Sequence, residues 1–425
     1  MNATGWTMKS LGELFAVGAG KTMSAAARAD GNKVPFLRTS NVLWDEIDLA
    51  VVDAMAIPEH ELTEKRLEPG DLLVCEGGDI GRAAIWEGRS EPMYFQNHLH
   101  RLRRKVNDVD PRFYVYFLQS AFTQLGIFAG AGNKTTIPNL SSGRLKALEV
   151  PHPPLHEQVA IADALRHLQA ARRLNAKLIE TSEELKAAAM QQLFSRGLRG
   201  EAQKETEIGL IPESWQLRTL PELCDIWSGG TPKKSVEEYW LGEIPWVSGK
   251  DLKRPTLDDA TDHVSEAGVA NGSRLAPTGS VLLLVRGMGL AKDLPVAAIT
   301  RPMAFNQDLK ALVSKHGYSG SYLRSAIYAG KDRLLSQLAT SAHGTKTLNL
   351  HDLSRFLVPT PPTTREADEV AEVLESLDLK VELHRRKGQI VDRLFDSLLH
   401  KLMTREVSVE ALDLSGLPTI EVRTV

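Results

Sequence analysis

The chain of 425 residues is 42% hydrophobic and 25% charged, with a formal net charge of −3, the balance of a globular protein with room for two domains. No apolar run approaches the ~20 residues that span a bilayer, and the opening MNATGWTMKSLGELF lacks the parts of a secretory signal, so a cytoplasmic location without membrane contact is expected. Cys75 and Cys224 stand far apart with no metal-ligand spacing around them, which argues against a disulfide framework and against a zinc site.

In chain order, the sequence spells its elements twice. WTMKSLGELF from Trp6 returns as WQLRTLPELC from Trp215, and VPFLRTSNV at Val34 returns as IPWVSGKDL at Ile244. LEPGDLLVCEGGDIGRAAI at Leu67 returns as LAPTGSVLLLVRGMGLAKDLPVAAI at Leu275, with an insertion in the second copy. YFQNHLHRLRRK at Tyr94 matches AFNQDLKALVSK at Ala304, and TTIPNLSSGRLKALEVPHPP matches KTLNLHDLSRFLVPTPP. Five blocks in one order, about 210 residues apart, make a tandem of two similar domains; two copies are too few for a solenoid. Within each copy, short β-rich runs such as LLVCEG and VLLLVRG sit beside helical stretches such as RFYVYFLQSAF, a mixed α/β (α+β) pattern. The expected division is 1–154 and 199–358 for the globular domains, 155–198 and 359–404 for two long helices, and 405–425 for a C-terminal tail.

The helices carry a coiled-coil seam. Core positions recur at alternating spacings of three and four through Ile161, Ala164, Leu168, Ala171, Asn175, Leu178, Ser182, Leu185 and Ala189. In the second helix they fall at Val370, Leu374, Leu377, Val381, His384, Gly388, Val391, Phe395, Leu398 and Leu402. The polar residues in mid-seam either fix the register or mark a point where another subunit docks. If the two seams pack together, connectivity makes the pair antiparallel, and about 40 residues of helix span roughly 60 Å. The expected molecule is a dumbbell with a pseudo-two-fold axis, one chain imitating a C2 dimer.

Charge segregates alike in both copies. Residues 1–93 hold nine Lys/Arg against fifteen Asp/Glu, and 94–154 hold eight against three. Residues 201–274 hold eight against fourteen, and 275–358 ten against four. Clustered cations are the footprint of phosphate binding; solvated faces repeated by homology are the alternative. The side chains suited to base edges and phosphates are Arg82, Gln96, Asn97, Arg101 and Arg103, with Asn133, Lys134, Thr135 and Thr136 in the loop GAGNKTT. The second copy offers Lys250, Arg286, Asn306, Gln307 and Lys310, then His343, Thr345 and Lys346 in SAHGTKT. Arg and Lys fork onto guanine, and Asn and Gln onto adenine, in the major groove.

Enzyme motifs fail on inspection. AVGAGKT at Ala16–Thr22 has Phe15 where a phosphate loop needs its first glycine. There is no NPPY-like methyltransferase motif, no complete GxGxxG and no HExxH, so no catalytic or metal residues are assigned.

The order of motifs resembles the specificity subunit of Type I restriction-modification systems across nearly the whole chain. TTIPNLSSGRLKALEVPHPPLHEQVAIADAL and EIGLIPESW at Glu207–Trp215 carry the resemblance most specifically. The second copy departs from it where TTREADE replaces the usual PLxEQ, which leaves the start of its helix unassigned. The resemblance implies two target-recognition domains reading a bipartite, asymmetric site in double-stranded DNA, with the helices as a ruler for the gap. It implies docking of two modification (methyltransferase) subunits and of restriction/translocase subunits. S-adenosylmethionine, ATP and Mg are then expected on those partners, and none in this chain. A coiled-coil adaptor with two protein-binding heads, or the reader of another methylation-based phage-defence system, is the alternative.

Overall fold

The computed structural model describes residues 6–29, 31–90, 92–126, 140–340 and 345–412. The chain forms two compact units, Met1–Ala176 with Arg386–Val425, and Lys177–Arg385. Both boundaries fall inside a long helix, so each unit holds one globular domain and half of each helix.

In the first unit the opening strand Thr7–Ser10 pairs antiparallel with Glu149–His152, the strand that precedes the first long helix. A four-stranded sheet runs in the order Phe15–Ala19, Leu99–Arg104, Leu72–Cys75 and Ala83–Ile85. A three-stranded sheet joins Asp53–Ala56, Lys33–Leu37 and Tyr94–Phe95. The helix Pro111–Thr123 starts where Asp110 accepts from the Arg112 amide, and its aromatic run Phe113–Phe117 enters the core.

The second unit repeats the plan. Gln216–Thr219 pairs with Leu357–Thr360. The sheet Cys224–Ser228, Leu309–Ser314, Val281–Leu284 and Val296–Ile299 gains a fifth strand, Thr256–Leu257. Even the first turn is copied: the Ser10 and Thr219 amides donate to Glu13 and Glu222, each at 2.6 Å, in matching capping boxes.

The long helices are Leu155–Arg196 and Thr364–Met403. In the first unit Ile161, Leu165 and Leu168 share a core with Phe395, Leu399 and Leu402. Arg172 lies over the Phe395 ring and pairs with Asp392 at 2.6 Å. In the second unit Met190 and Phe194 share a core with Val370 and Leu374. There Lys186 pairs with Asp378 and Glu183 with Arg385, so the two segments of this unit run antiparallel.

Two positions of the expected seam in the first helix are displaced. Leu168, Asn175 and Ser182 are buried, whereas Leu178 and Leu185 are 36% and 50% exposed. Ile179 and Lys186, each one residue further along, are the more enclosed, while Ala164 and Leu165 are both buried and Ala171 and Arg172 both half-buried. Arg172 and Lys186 bring carbon stems inward and carry paired charges at their tips, a use of long cations that hydropathy scores as polar. In the second helix Val381 is buried and Leu377, Val391 and Leu398 are half-buried.

Each domain is tied to its helix in the same way. The Trp6 indole donates to Glu157 at 3.0 Å, and the Trp215 indole donates to Glu366 at 3.0 Å, both across 151 residues. Glu366 belongs to TTREADE, so the variant motif keeps the glutamate. It changes the next position. Gln158, fully buried, accepts from the Asp110 amide and donates to the Asp108 and Pro153 carbonyls, whereas Ala367 stands there in the second copy. The second helix starts instead on Thr363, whose hydroxyl accepts from the Glu366 amide at 3.2 Å.

The linear charge segregation does not survive folding as two poles. Strand Leu99–Arg104 lies between Phe15–Ala19 and Leu72–Cys75, so Arg103 meets Asp71 at 2.7 Å and Glu68 at 2.6 Å. Arg112 likewise meets Asp45 at 2.9 Å and Glu87 at 2.7 Å. In the second unit Lys315 sits 3.3 Å from Asp225. Basic back halves are partly neutralised by acidic front halves.

Two outcomes follow. A double-mutant cycle on Trp6→Phe and Glu157→Ala, read by urea unfolding, is expected to give a coupling of about 1.5–3 kcal/mol, the strength of a hydrogen bond to a charged group; additive effects would contradict the tie. Arg103→Ala leaves the enclosed Asp71 carboxylate without its cation and is expected to destabilise the chain by about 3 kcal/mol, measured the same way.

Candidate nucleic-acid interface

Four turns converge at one edge of the sheets in each unit, through the same backbone hydrogen bonds. In the first, the Lys21 amide donates to Phe95, Gln96 to Leu37, Glu76 to His98, and Leu140 to Glu76, all at 2.9 Å. In the second, Gly230 donates to Phe305, Asn306 to Val247, Val285 to Asp308, and Leu348 to Val285, at 2.8–3.0 Å. Glycine is required where the first of these turns arrives. A Cβ at Gly20 would lie 2.3 Å from the Phe95 and Gln96 carbonyl oxygens, and one at Gly229 would lie 2.3 Å from those of Phe305 and Asn306. The glycines of AVGAGKT therefore allow a close approach of chain to chain, which is a different use from cradling a phosphate.

This correspondence places the predicted residues. Gln96 and Asn97 of the first unit occupy the same turn as Asn306 and Gln307 of the second. Gln96 and Asn97 are half-buried. Asn306 is buried and its side-chain oxygen accepts from the Asp308 amide at 3.1 Å, which makes it a turn-forming residue. Gln307 is exposed and accepts from the Thr231 hydroxyl at 2.6 Å. Asn133, Lys134, Thr135, Thr136 and His343 lie outside the described residues. Thr345 is half-buried beside strand Lys346–Thr347, and the Lys346 ammonium donates to Thr340 at 2.8 Å.

Several of the expected cations have partners within their own unit. Arg82 is folded back onto Asp79 at 2.6 Å and the Thr39 carbonyl at 2.9 Å. Arg101 donates to the Glu64 and Arg66 carbonyls at 2.7 and 3.0 Å, and Arg103 is held by Asp71 and Glu68. Lys310 donates to Ser228, and Lys250 to Asp262, each at 2.7 Å. Arg82, Arg101 and Arg103, each inside a sheet or tight turn, find the nearest carboxylate or carbonyl before solvent. Arg286 is the exception. It is exposed, and among the described residues its guanidinium has no hydrogen-bond or ion-pair partner.

Three features of this edge were not legible as site residues in the sequence. Lys21 is paired with Glu61 at 2.6 Å, and that hydrogen bond holds the Glu61 carboxyl below its usual range. Thr231 positions Gln307. Met288, 65% exposed, lies in the strand connection that is longer in the second copy, and that extra length was the available signal.

The two cysteines are buried, and burial pushes the Cys75 thiol up to about 11 and the Cys224 thiol up to about 12, so both are protonated packing groups at neutral pH. Among the described residues no cluster of His, Cys, Asp and Glu has the arrangement of a metal site, and no helix is long and apolar enough to cross a membrane.

The profile of the Type I restriction modification DNA specificity domain matches residues 3–184 and again 212–392. The Type I restriction enzyme EcoR124I/EcoR124II specificity subunit of Escherichia coli is 31% identical over 163 residues, 38% of this chain and 40% of its own length. The Type I restriction enzyme MjaVIII specificity subunit of Methanocaldococcus jannaschii is 25% identical over 382 residues, 85% of each chain. The crystal structure of the Type I restriction-modification S subunit from M. genitalium shares the fold, with a TM-score of 0.61 and 18% identity over 95% of this chain and 97% of that one. A profile matched twice, over most of the chain and in step with the duplicated architecture, shows that this chain belongs to the specificity-subunit family of Type I restriction-modification systems.

Proposed function

We propose that the chain reads a bipartite, asymmetric target in double-stranded DNA, each domain recognising one half through its converging turns. The observation that carries this reading is the repetition of one turn cluster in two domains of different side-chain content. Similar scaffolds with different tips suit two different half-targets. Phosphate contacts fall to cations other than Arg82 and Arg103, which are internally paired.

In the same reading the chain is not an enzyme. Modification subunits bring S-adenosylmethionine and the methyl transfer, restriction/translocase subunits bring ATP and Mg, and the complex works in the cytoplasm. The long helices set the gap between half-targets and dock two modification subunits. Their exposed apolar residues support that role: Leu174, Ile390 and Leu394 in the first unit, and Leu178, Leu185, Leu379 and Leu383 in the second. Residues of this kind at helical spacing form patches that partner helices cover. Asn175 and Ser182 are buried, so the outward leucines, rather than the polar seam residues, offer the docking surface.

The test uses the chain assembled with its modification subunits. Duplex binding is expected to select one split sequence, and affinity is expected to fall by roughly a thousandfold or more between ~50 and ~200 mM salt. Absence of sequence selection at every salt concentration would contradict the proposal.

A further inference from the structure

The segment joining two adjacent strands of the central sheet differs between the copies. Seven residues, 76–82, separate Leu72–Cys75 from Ala83–Ile85, whereas eleven, 285–295, separate Val281–Leu284 from Val296–Ile299. The longer segment is firmly built. Leu290 and Leu294 are each 2% exposed and packed into the main core of the unit. Asp293 accepts from the Tyr328 hydroxyl and the Lys331 ammonium, both at 2.8 Å. At the other end the Gly287 amide donates to the Lys346 carbonyl at 3.0 Å, and the Leu348 amide to Val285 at 2.8 Å.

What this frame holds outward is specific. Gly287 adopts φ 143°, a conformation that favours glycine, and on either side of it stand the exposed Arg286 and Met288. A thioether side chain 65% in water, on an anchored turn, beside an exposed guanidinium with no partner among the described residues, lacks a packing explanation within the unit. Matching backbone hydrogen bonds align Glu76 with Val285. Gly77, Gly78 and Asp79 then stand where the second copy has Arg286, Gly287 and Met288. The first domain carries neither the cation nor the apolar tip there, and its Asp79 holds Arg82.

We infer that Arg286 and Met288 form a base-reading tip for the half-target of the second domain alone, Arg286 forking onto guanine and Met288 making the apolar contact with neighbouring bases. This rests on the proposed reading of DNA by these turns. Arginine donates bidentately to the guanine edge in the major groove, and an apolar side chain beside it contacts a thymine methyl in the same groove. A rigid mounting suits both, because the entropy of ordering the turn is already lost before DNA arrives.

The experiment compares unaltered, Arg286→Ala, Met288→Ala and Met288→Leu chains, each assembled with its modification subunits, against a library of duplexes randomised over both half-targets. Arg286→Ala is expected to lower discrimination by roughly ten- to a hundredfold at one position of the second domain's half-target. Met288→Ala is expected to relax an adjacent position, Met288→Leu to retain selection, and the other half-target to be read unchanged in all. Because both side chains are exposed, retention of modification subunits serves as the folding control. Unchanged discrimination in a selective complex overturns the assignment alone. So does a uniform loss across all sequences with a shallower salt slope, which marks Arg286 as a phosphate contact. An unaltered complex without sequence selection overturns the underlying reading and the assignment with it.

Discussion

An indole N–H fastens each domain to the first turn of a long helix, Trp6 to Glu157 and Trp215 to Glu366. The rings sit in the cores, 7% and 0% exposed, among residues contributed by the helices themselves. Each opening strand is at the same time paired with the strand that leads into its helix. The domain and the start of its helix therefore form one hydrogen-bonded and packed body. A reader whose turns must meet particular base pairs needs such a mounting, because a loose joint would blur the register of every contact.

The duplication was legible because it concerns backbone and core. Trp, Leu, Gly and Pro recur where packing or a close approach demands them, as Gly20 and Gly229 show with their matching carbonyl contacts. The long helices were legible from their length and periodicity. Their inner face was legible only in part: Leu178 and Leu185 follow the heptad and yet face solvent, while Arg172 and Lys186 take inner positions with Asp392 and Asp378 as partners. Hydropathy cannot register a cation that packs through its stem. The divergent start of the second helix was partly legible too, since TTREADE retains the glutamate in Glu366 and loses the glutamine that ties down the first helix in Gln158.

The candidate interface was least legible, for an electrostatic reason. Sequence counts place cations in the back half of each domain, but a strand's neighbours in a sheet come from elsewhere in the chain. Arg103 between acidic-half strands becomes a structural ion-pair partner, and Arg82 and Arg101 close turns by bonding to carbonyls. Arg286 escapes this fate because it leads the longer turn of the second copy, whose backbone is satisfied by Lys346 and Leu348. Composition reports how many cations exist; only the sheet order reports which are free.

The proposed function depends on the independence of two domains that each read one half-target. It is tested most directly by replacing residues 6–152, from the opening Trp through the strand before the helix, with the corresponding domain of another specificity subunit, and sequencing the methylated sites of cells that also carry the modification subunits. A hybrid target is expected, in which one half changes and the half read by the second domain is retained. Methylation at a site altered in both halves would contradict it, and so would methylation still confined to the original site.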